Sequence, residues 1–267
     1  MNPLAAVPLE DVQGQFDARA VAIDEVGISD LRYPVRVAGR GGVIQPSVAT
    51  MSATVDLAAD VRGTHMSRFV QALGEHLTVL DQLACAALAE HLRGRLSSSH
   101  AILTFEFPYF IERTAPVSHL SGMVDVEARL SVVAAHSTEA RVGVRVPVTS
   151  LCPCSREISD YGAHNQRGHV EIDVACHAGE EIWLEDLIDV AEAAASAPIY
   201  SLLKRVDERH VTMTAYENPA FVEDIARDVV VALRQDPRVR DYVVRVTNQE
   251  SIHHHNAVAT IRGRSAA

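Results

Sequence analysis

The chain has 267 residues, a formal net charge of −11 and 48% hydrophobic residues, which excludes a disordered chain and argues against non-specific nucleic-acid binding, since that rests on neutralising phosphates. No apolar run approaches the roughly 18 residues of a membrane span, and Met1 to Asp11 lack the basic start of a signal peptide. Four cysteines without regular spacing make no disulfide framework, so a protein of the reducing cytoplasm is expected.

Residues 1–25 are polar and contain proline, and are expected to form an arm. Gly27 to Ala38 alternates as a strand, followed by a Gly39–Gly42 turn and a second alternating strand, Ser47 to Leu57. From Ser67 to Gly94 the spacing is helical, with Phe69, Leu73, Leu77 and Leu80 on one stripe, and Gly74 as the expected divide between two helices. Ala101–Ile111 and Gly122–Val133 are strands. The second half repeats the order: strands Val142–Ser150 and His169–Cys176, a helix from Trp183 to about Lys204 with Pro198 as a kink, and a helix Asn218–Leu233. Asn218 would cap that helix and Pro219 would occupy its first position. Strands Val239–Thr247 and Ala257–Arg262 close the chain. The pattern is strand-strand-helix-helix-strand-strand, twice, an α+β chain. A four-stranded antiparallel sheet with helices on one face leaves open edges that invite association.

The loop between two of these strands, 150–169, concentrates Cys152, Cys154, His164, His169 and arginines around Pro153 and Gly162. Loops held on rigid sheet are where chemistry tends to sit. Cys152 and His164 can converge on one ion if the loop folds back, and zinc, iron(II) and manganese all accept thiolate or imidazole to some degree. Cys152 and Cys154 form a C-x-C with no second pair, so a four-cysteine zinc ribbon is excluded. A polar loop with one buried structural thiol is the alternative.

The run Ser150 to Val170, SLCPCSREISDYGAHNQRGHV, resembles the signature of the type IB GTP cyclohydrolases. Arg62-Gly-Thr-His-Met-Ser-Arg-Phe69, Asp207-Glu208, the Asn218–Asp224 block and Glu250-Ser-Ile-His-His-His255 agree with it, in order, from about residue 60 onward. The resemblance implies tandem tunnelling-fold (T-fold) units, here 26–137 and 138–267, each an antiparallel sheet with two helices on one face, assembled into a homo-oligomer, a tetramer with active sites at its interfaces. It implies a divalent metal (manganese, iron(II) or zinc) held by Cys152, His164 and Glu208, His164 being a ligand or an acid/base group beside the metal. Cys154 is a thiol packed behind the ligand, the favoured reading, or an occasional ligand, and His169, opening a strand, is read as structural. The resemblance places His253 in the site as a proton-transfer group beside Cys152 and His164, with His255 a weaker candidate, and Glu223 as the purine anchor. From the residues alone, Glu208 would belong to a solvated turn and Glu223 to a solvent-facing helix side.

Glu223 has chemical logic as an anchor. Guanine presents N1–H and an exocyclic amine side by side, and a carboxylate offers two parallel acceptors. A triphosphate in an acidic protein requires locally gathered cations, for which His65, Arg68, Lys204, Arg205, Arg156 and Arg167 are the candidates. The implied reaction converts GTP and water to formate and 7,8-dihydroneopterin triphosphate, the first step toward folate-type pterins. Rivals are an archaeal-type cyclohydrolase giving a cyclic phosphate, a nitrile reductase whose nicotinamide motif is not visible here, and a non-catalytic pterin- or metal-binding module. Val206 stands where the family has proline, and His254 where asparagine is common.

Overall fold

A computed structural model describes residues 10–265; residues 1–9 of the expected arm lie outside them. Eight strands form one antiparallel sheet in chain order: β1 (Ile23–Ala38), β2 (Ile44–Leu57), β3 (Ala101–Thr114), β4 (Ser121–Ala134), β5 (Thr138–Leu151), β6 (Asn165–Cys176), β7 (Val239–Asn248) and β8 (Ala257–Arg264). The two halves therefore share a sheet: Ala134 pairs with Thr138 and Glu127 with Arg145 across the β4–β5 hairpin. The helices are α1 (Met66–His76), α2 (Gln82–Arg95), the short α3 (Pro153–Ile158), α4 (Leu184–Ala194), α5 (Arg205–Glu217) and α6 (Val222–Gln235).

Strand alternation sorts the two faces. One carries Phe105, Leu130, Val142, Val174, Tyr242 and their neighbours, all buried in a core shared with Phe69, Leu88, Leu187, Ile225 and Val229 of the helices. The other is polar. Arg32, Thr50, Glu106, Arg129, Gly143, Asp173, Val243 and Arg262 pair in sequence across all eight strands. That row lines a cavity of about 710 Å³, so the sheet is curved with this face inward. β1 and β8 each leave one edge unpaired.

Several boundaries differ from the sequence expectation. α1 and α2 part after His76, not at Gly74, because Leu80 pairs with β1 (Ala38 N–H to Leu80 O, 3.0 Å) and Asp81 caps α2 by accepting the Ala84 N–H at 2.7 Å. The expected 183–204 helix stops at Ala194, because Ser196 and Ala197 turn to bond the backbone of Thr149. The last helix starts at Val222, with Phe221 at its cap, so neither Asn218 nor Pro219 begins it. Asn218 instead ends α5 and donates its side-chain amide to Ala195 O at 2.9 Å. α5 itself is an unexpected element, so the second half is not a simple repeat of the first.

Candidate active site

The site residues gather where β5 ends. Thr149 pairs with Ala197, Ala220 N–H donates to Leu151 O at 3.1 Å, and Leu151 N–H donates to Ser196 Oγ at 3.0 Å. Beneath them Asn248 donates to Ser150 Oγ at 2.7 Å, and the Ser150 hydroxyl donates to Ala220 O at 3.1 Å, all buried. Hydrogen bonds made in a dry setting favour one geometry, although the Asn248 Oδ1 itself is buried without a partner among the described residues. They anchor the start of α6 and the Ala195–Ala197 turn to the residue before Cys152.

The loop is shorter than expected, since β5 runs to Leu151 and β6 begins at Asn165. It closes on itself: Cys152 N–H donates to His164 O at 3.1 Å, Ser155 Oγ donates to Cys152 O at 3.1 Å, and His164 N–H donates to Ser155 Oγ at 3.2 Å. Gly162, at φ 85°, makes the turn in a conformation that side chains resist. Cys152 is half-buried, and its Sγ accepts the Ser155 N–H at 3.4 Å. Cys154 is exposed on α3, which corrects the expectation of a thiol packed behind Cys152. His169 lies within β6 opposite Pro147 rather than opening the strand; burial, with Arg145 nearby, pushes its pKa down.

The His164 ring has a defined partner that the sequence did not single out. Its Nδ1 lies 2.9 Å from Oε1 of buried Gln166 and 3.3 Å from Ser251 Oγ. An amide oxygen only accepts, so Nδ1–H is the donor to Gln166 and Nε2 is the ring nitrogen left to face a ligand. Metal-ligating histidines are oriented in this way, so the donor set around Cys152 and His164 fits a divalent ion. Gln166 stands two residues after His164, the spacing of one strand face, which was the available signal.

Ser251 brings the 249–256 loop to the same rim, and Gln249 N–H donates to Arg167 O at 2.9 Å. His253 and His255 are exposed and stack at 5.2 Å, on one side as expected, although the run bends and is not a strand. α5 is tied to the loop by Arg156, whose guanidinium stands 4.7 Å over the Tyr216 ring. Arg156 is thereby committed to a structural contact. A cavity of about 270 Å³ between α5 and the β5–β6 rim is lined by Gln166, Arg167 and Thr212 among others. The larger, concave-face cavity is lined by none of the candidate residues.

Asp207 and Glu208 are not in a turn after a helix; they lie in the first turn of α5. Glu208 is exposed and Asp207 is fully buried. The Asp207 carboxylate accepts from Val117 N–H (2.9 Å), Ser118 N–H (2.8 Å), the Ser118 hydroxyl (2.6 Å) and Lys204 N–H (2.9 Å). Burial alone would raise its pKa, but the Ser118 hydroxyl and the three N–H groups outweigh it and hold the carboxyl far below the usual range. This lock docks α5 on the β3–β4 turn and so sets where Glu208 stands. With the folded pKa depressed, its stabilisation is full above the ordinary aspartate value of about 3.9 and is lost as pH falls toward the folded one. Asp207→Ala should lower the melting midpoint by several degrees at pH 7, and the gap to wild type should narrow below pH 4 or so; a thermal melt series across pH checks both.

Glu223 is at the second position of α6, exposed, without a hydrogen bond or ion pair among the described residues. Lys204, Arg205 and Arg167 are also exposed and form no ion pair among those residues. His65 and Arg68 belong to the start of α1, where residues 13–17 pair with 60–63 and Asp11 engages His65 Nε2 at 3.1 Å. Among the described residues, three ligand atoms lie within 4.8 Å of one another at Glu75, His76 and His91, and not at Cys152, His164 and Glu208.

A thiol and an imidazole on one loop braced against a sheet, with exposed carboxylates on the first turns of two helices, are the kinds of group from which enzyme sites are built. The chain belongs to the type I GTP cyclohydrolase FolE2 family, whose model matches residues 9–259. It is 46% identical to the GTP cyclohydrolase FolE2 of Nitrosococcus oceani over 98% of each chain. It is 45% identical to that of Caldicellulosiruptor saccharolyticus, over 96% of this chain and 98% of the relative. Among solved structures it resembles the urate oxidase of Bacillus subtilis (TM-score 0.54, 9% identity, 90% and 98% of the two chains covered) and the uricase of Arthrobacter globiformis (TM-score 0.53, 8% identity, 90% and 93%). At that identity the likeness is one of fold.

Proposed function

We propose that this GTP cyclohydrolase converts GTP and water to formate and 7,8-dihydroneopterin triphosphate, with Cys152, His164 and Glu208 holding a divalent metal, manganese, iron(II) or zinc. The supporting observation is that the His164 end of the loop and the start of α6 meet at Leu151 and Cys152, through Cys152 N–H to His164 O and Ala220 N–H to Leu151 O, while the last turn of α5 packs on the same loop through Tyr216 and Arg156. Glu223 holds the guanine edge with its two unpaired oxygens. Lys204 and Arg205 at the N-terminal end of α5, where backbone N–H groups also favour anions, and Arg167 on β6, none of them in an ion pair among the described residues, meet the triphosphate; His65 and Arg68 join them from another subunit. A metal ion held there would supply Lewis acidity, bringing the pKa of a bound water toward neutrality. His253, on the loop whose Ser251 reaches His164, moves protons as the imidazole ring of the base opens. Gln166 keeps His164 in the tautomer that leaves Nε2 available.

The halves 26–137 and 138–267 are taken as tandem T-fold units. Open edges on β1 and β8 favour edge-to-edge assembly, and Tyr161 (91% exposed) and Ile158 (83%) at the loop tip offer apolar surface for a neighbouring subunit. A tetramer with sites completed across interfaces would bring Glu208 and Glu223 into enclosed surroundings. No helix among the described residues is long and apolar enough to cross a membrane, in keeping with a cytoplasmic enzyme. The test is incubation with GTP after reconstitution with each metal, following formate and pterin fluorescence. Product mass must equal that of the linear triphosphate. A cyclic phosphate product, or none with any of the three metals, overturns the assignment.

A further inference from the structure

His76 ends α1 and His91 lies within α2, and their rings lie with centroids 3.8 Å apart and planes tilted by 41°. Together with Glu75, each residue contributes a ligand atom within 4.8 Å of the others. The Glu75 carboxylate is already oriented: Arg95 Nη1 donates to its Oε2 at 2.7 Å, and Arg95 Nη2 donates to Gln71 Oε1 at 3.0 Å. His91 Nε2 is sealed from solvent without a hydrogen-bond partner. Buried polar atoms nearly always have a partner, so one left alone calls for an explanation, and a bound ion beside two further ligand atoms supplies one. Glu75 and His76 are exposed, which gives an ion a path in and leaves a coordination position for water.

We propose that Glu75, His76 and His91 form a metal site of their own, taking an imidazole-preferring divalent ion such as zinc, nickel or cobalt, and that the ion staples the last turn of α1 to α2. Two imidazoles and one carboxylate are an established zinc donor set, whereas magnesium and calcium prefer oxygen alone. The staple acts where α1 gives way to the non-helical stretch at Leu77–Asp81, so it restrains the free end of the helix. None of its ligands comes from the 150–169 loop, α5 or α6, and the inference stands whether or not the metal proposed at Cys152 does.

The full-length protein, stripped with a chelator and kept reduced, is loaded with zinc, desalted and analysed for metal. His76→Ala and Glu75→Gln, both at exposed positions, should each remove one zinc per chain, in the wild-type background and equally in Cys152→Ala. Titration with cobalt separates the sites by colour. The α1–α2 site gives weak ligand-field bands and no thiolate charge-transfer band, and those bands persist in Cys152→Ala and vanish in His76→Ala. Zinc should also raise the melting midpoint of Cys152→Ala, and this rise should be lost on adding His76→Ala. Equal zinc content with and without His76 overturns the proposal.

Discussion

Cys152→Ala should abolish GTP turnover and leave the fold standing. The thiol is half-buried and its one hydrogen bond, from Ser155 N–H at 3.4 Å, is long. The contact that shapes the loop, Cys152 N–H to His164 O, is made by backbone and survives the substitution. Stability should therefore change by no more than about 1 kcal/mol. Activity should fall well beyond the roughly 10–100-fold typical of losing a group that only orients a ligand, because a metal-binding sulfur would be gone. Cys154→Ala supplies the contrast: that thiol is exposed on α3, and its removal should leave turnover near wild type. The measurements are kcat/KM from pterin fluorescence, metal content after manganese loading, and a thermal melt. Cys152→Ala retaining a tenth or more of the activity would end the assignment of Cys152 as ligand.

That contrast also shows what the sequence could carry. Cys152 and His164 stand out because a thiol and an imidazole share one loop between alternating strands, and the central strands were legible because one of their faces is buried. Strand ends were not. β1 begins at Ile23, before the alternation is clear, because pairing with β2 continues past the buried stretch to Leu57. α5 stayed hidden because it buries only Asp207 and Ala215, so no apolar stripe marks it. The acidic pair was visible, but that Asp207 locks the helix and Glu208 faces outward depends on Val117 and Ser118, some ninety residues away in the chain. The Ser150–Asn248–Ala220 network is hidden for the same reason. Local periodicity reports burial of a face; it says nothing of which distant backbone a buried polar group will meet.

The largest change in specificity is expected at Glu223. A glutamine there keeps the size but turns one acceptor into a donor, which then faces the exocyclic amine of guanine, donor against donor. Sites built to hydrogen-bond a substrate group discriminate by about 10⁴–10⁵ when the match is lost, so kcat/KM for GTP should fall by about three orders of magnitude or more, near 4 kcal/mol of transition-state stabilisation. Inosine triphosphate separates this from general damage, since it keeps N1–H and lacks the amine. Wild type should favour GTP strongly over inosine triphosphate, whereas Glu223→Gln, with no amine to pair, should turn over the two at similar rates. Because Glu223 is exposed and forms no hydrogen bond or ion pair among the described residues, the melt should not move. If the preference for GTP over inosine triphosphate is as large in Glu223→Gln as in wild type, the guanine edge is read by another group, and the convergence of α6 on the Cys152 rim serves the scaffold and not the substrate.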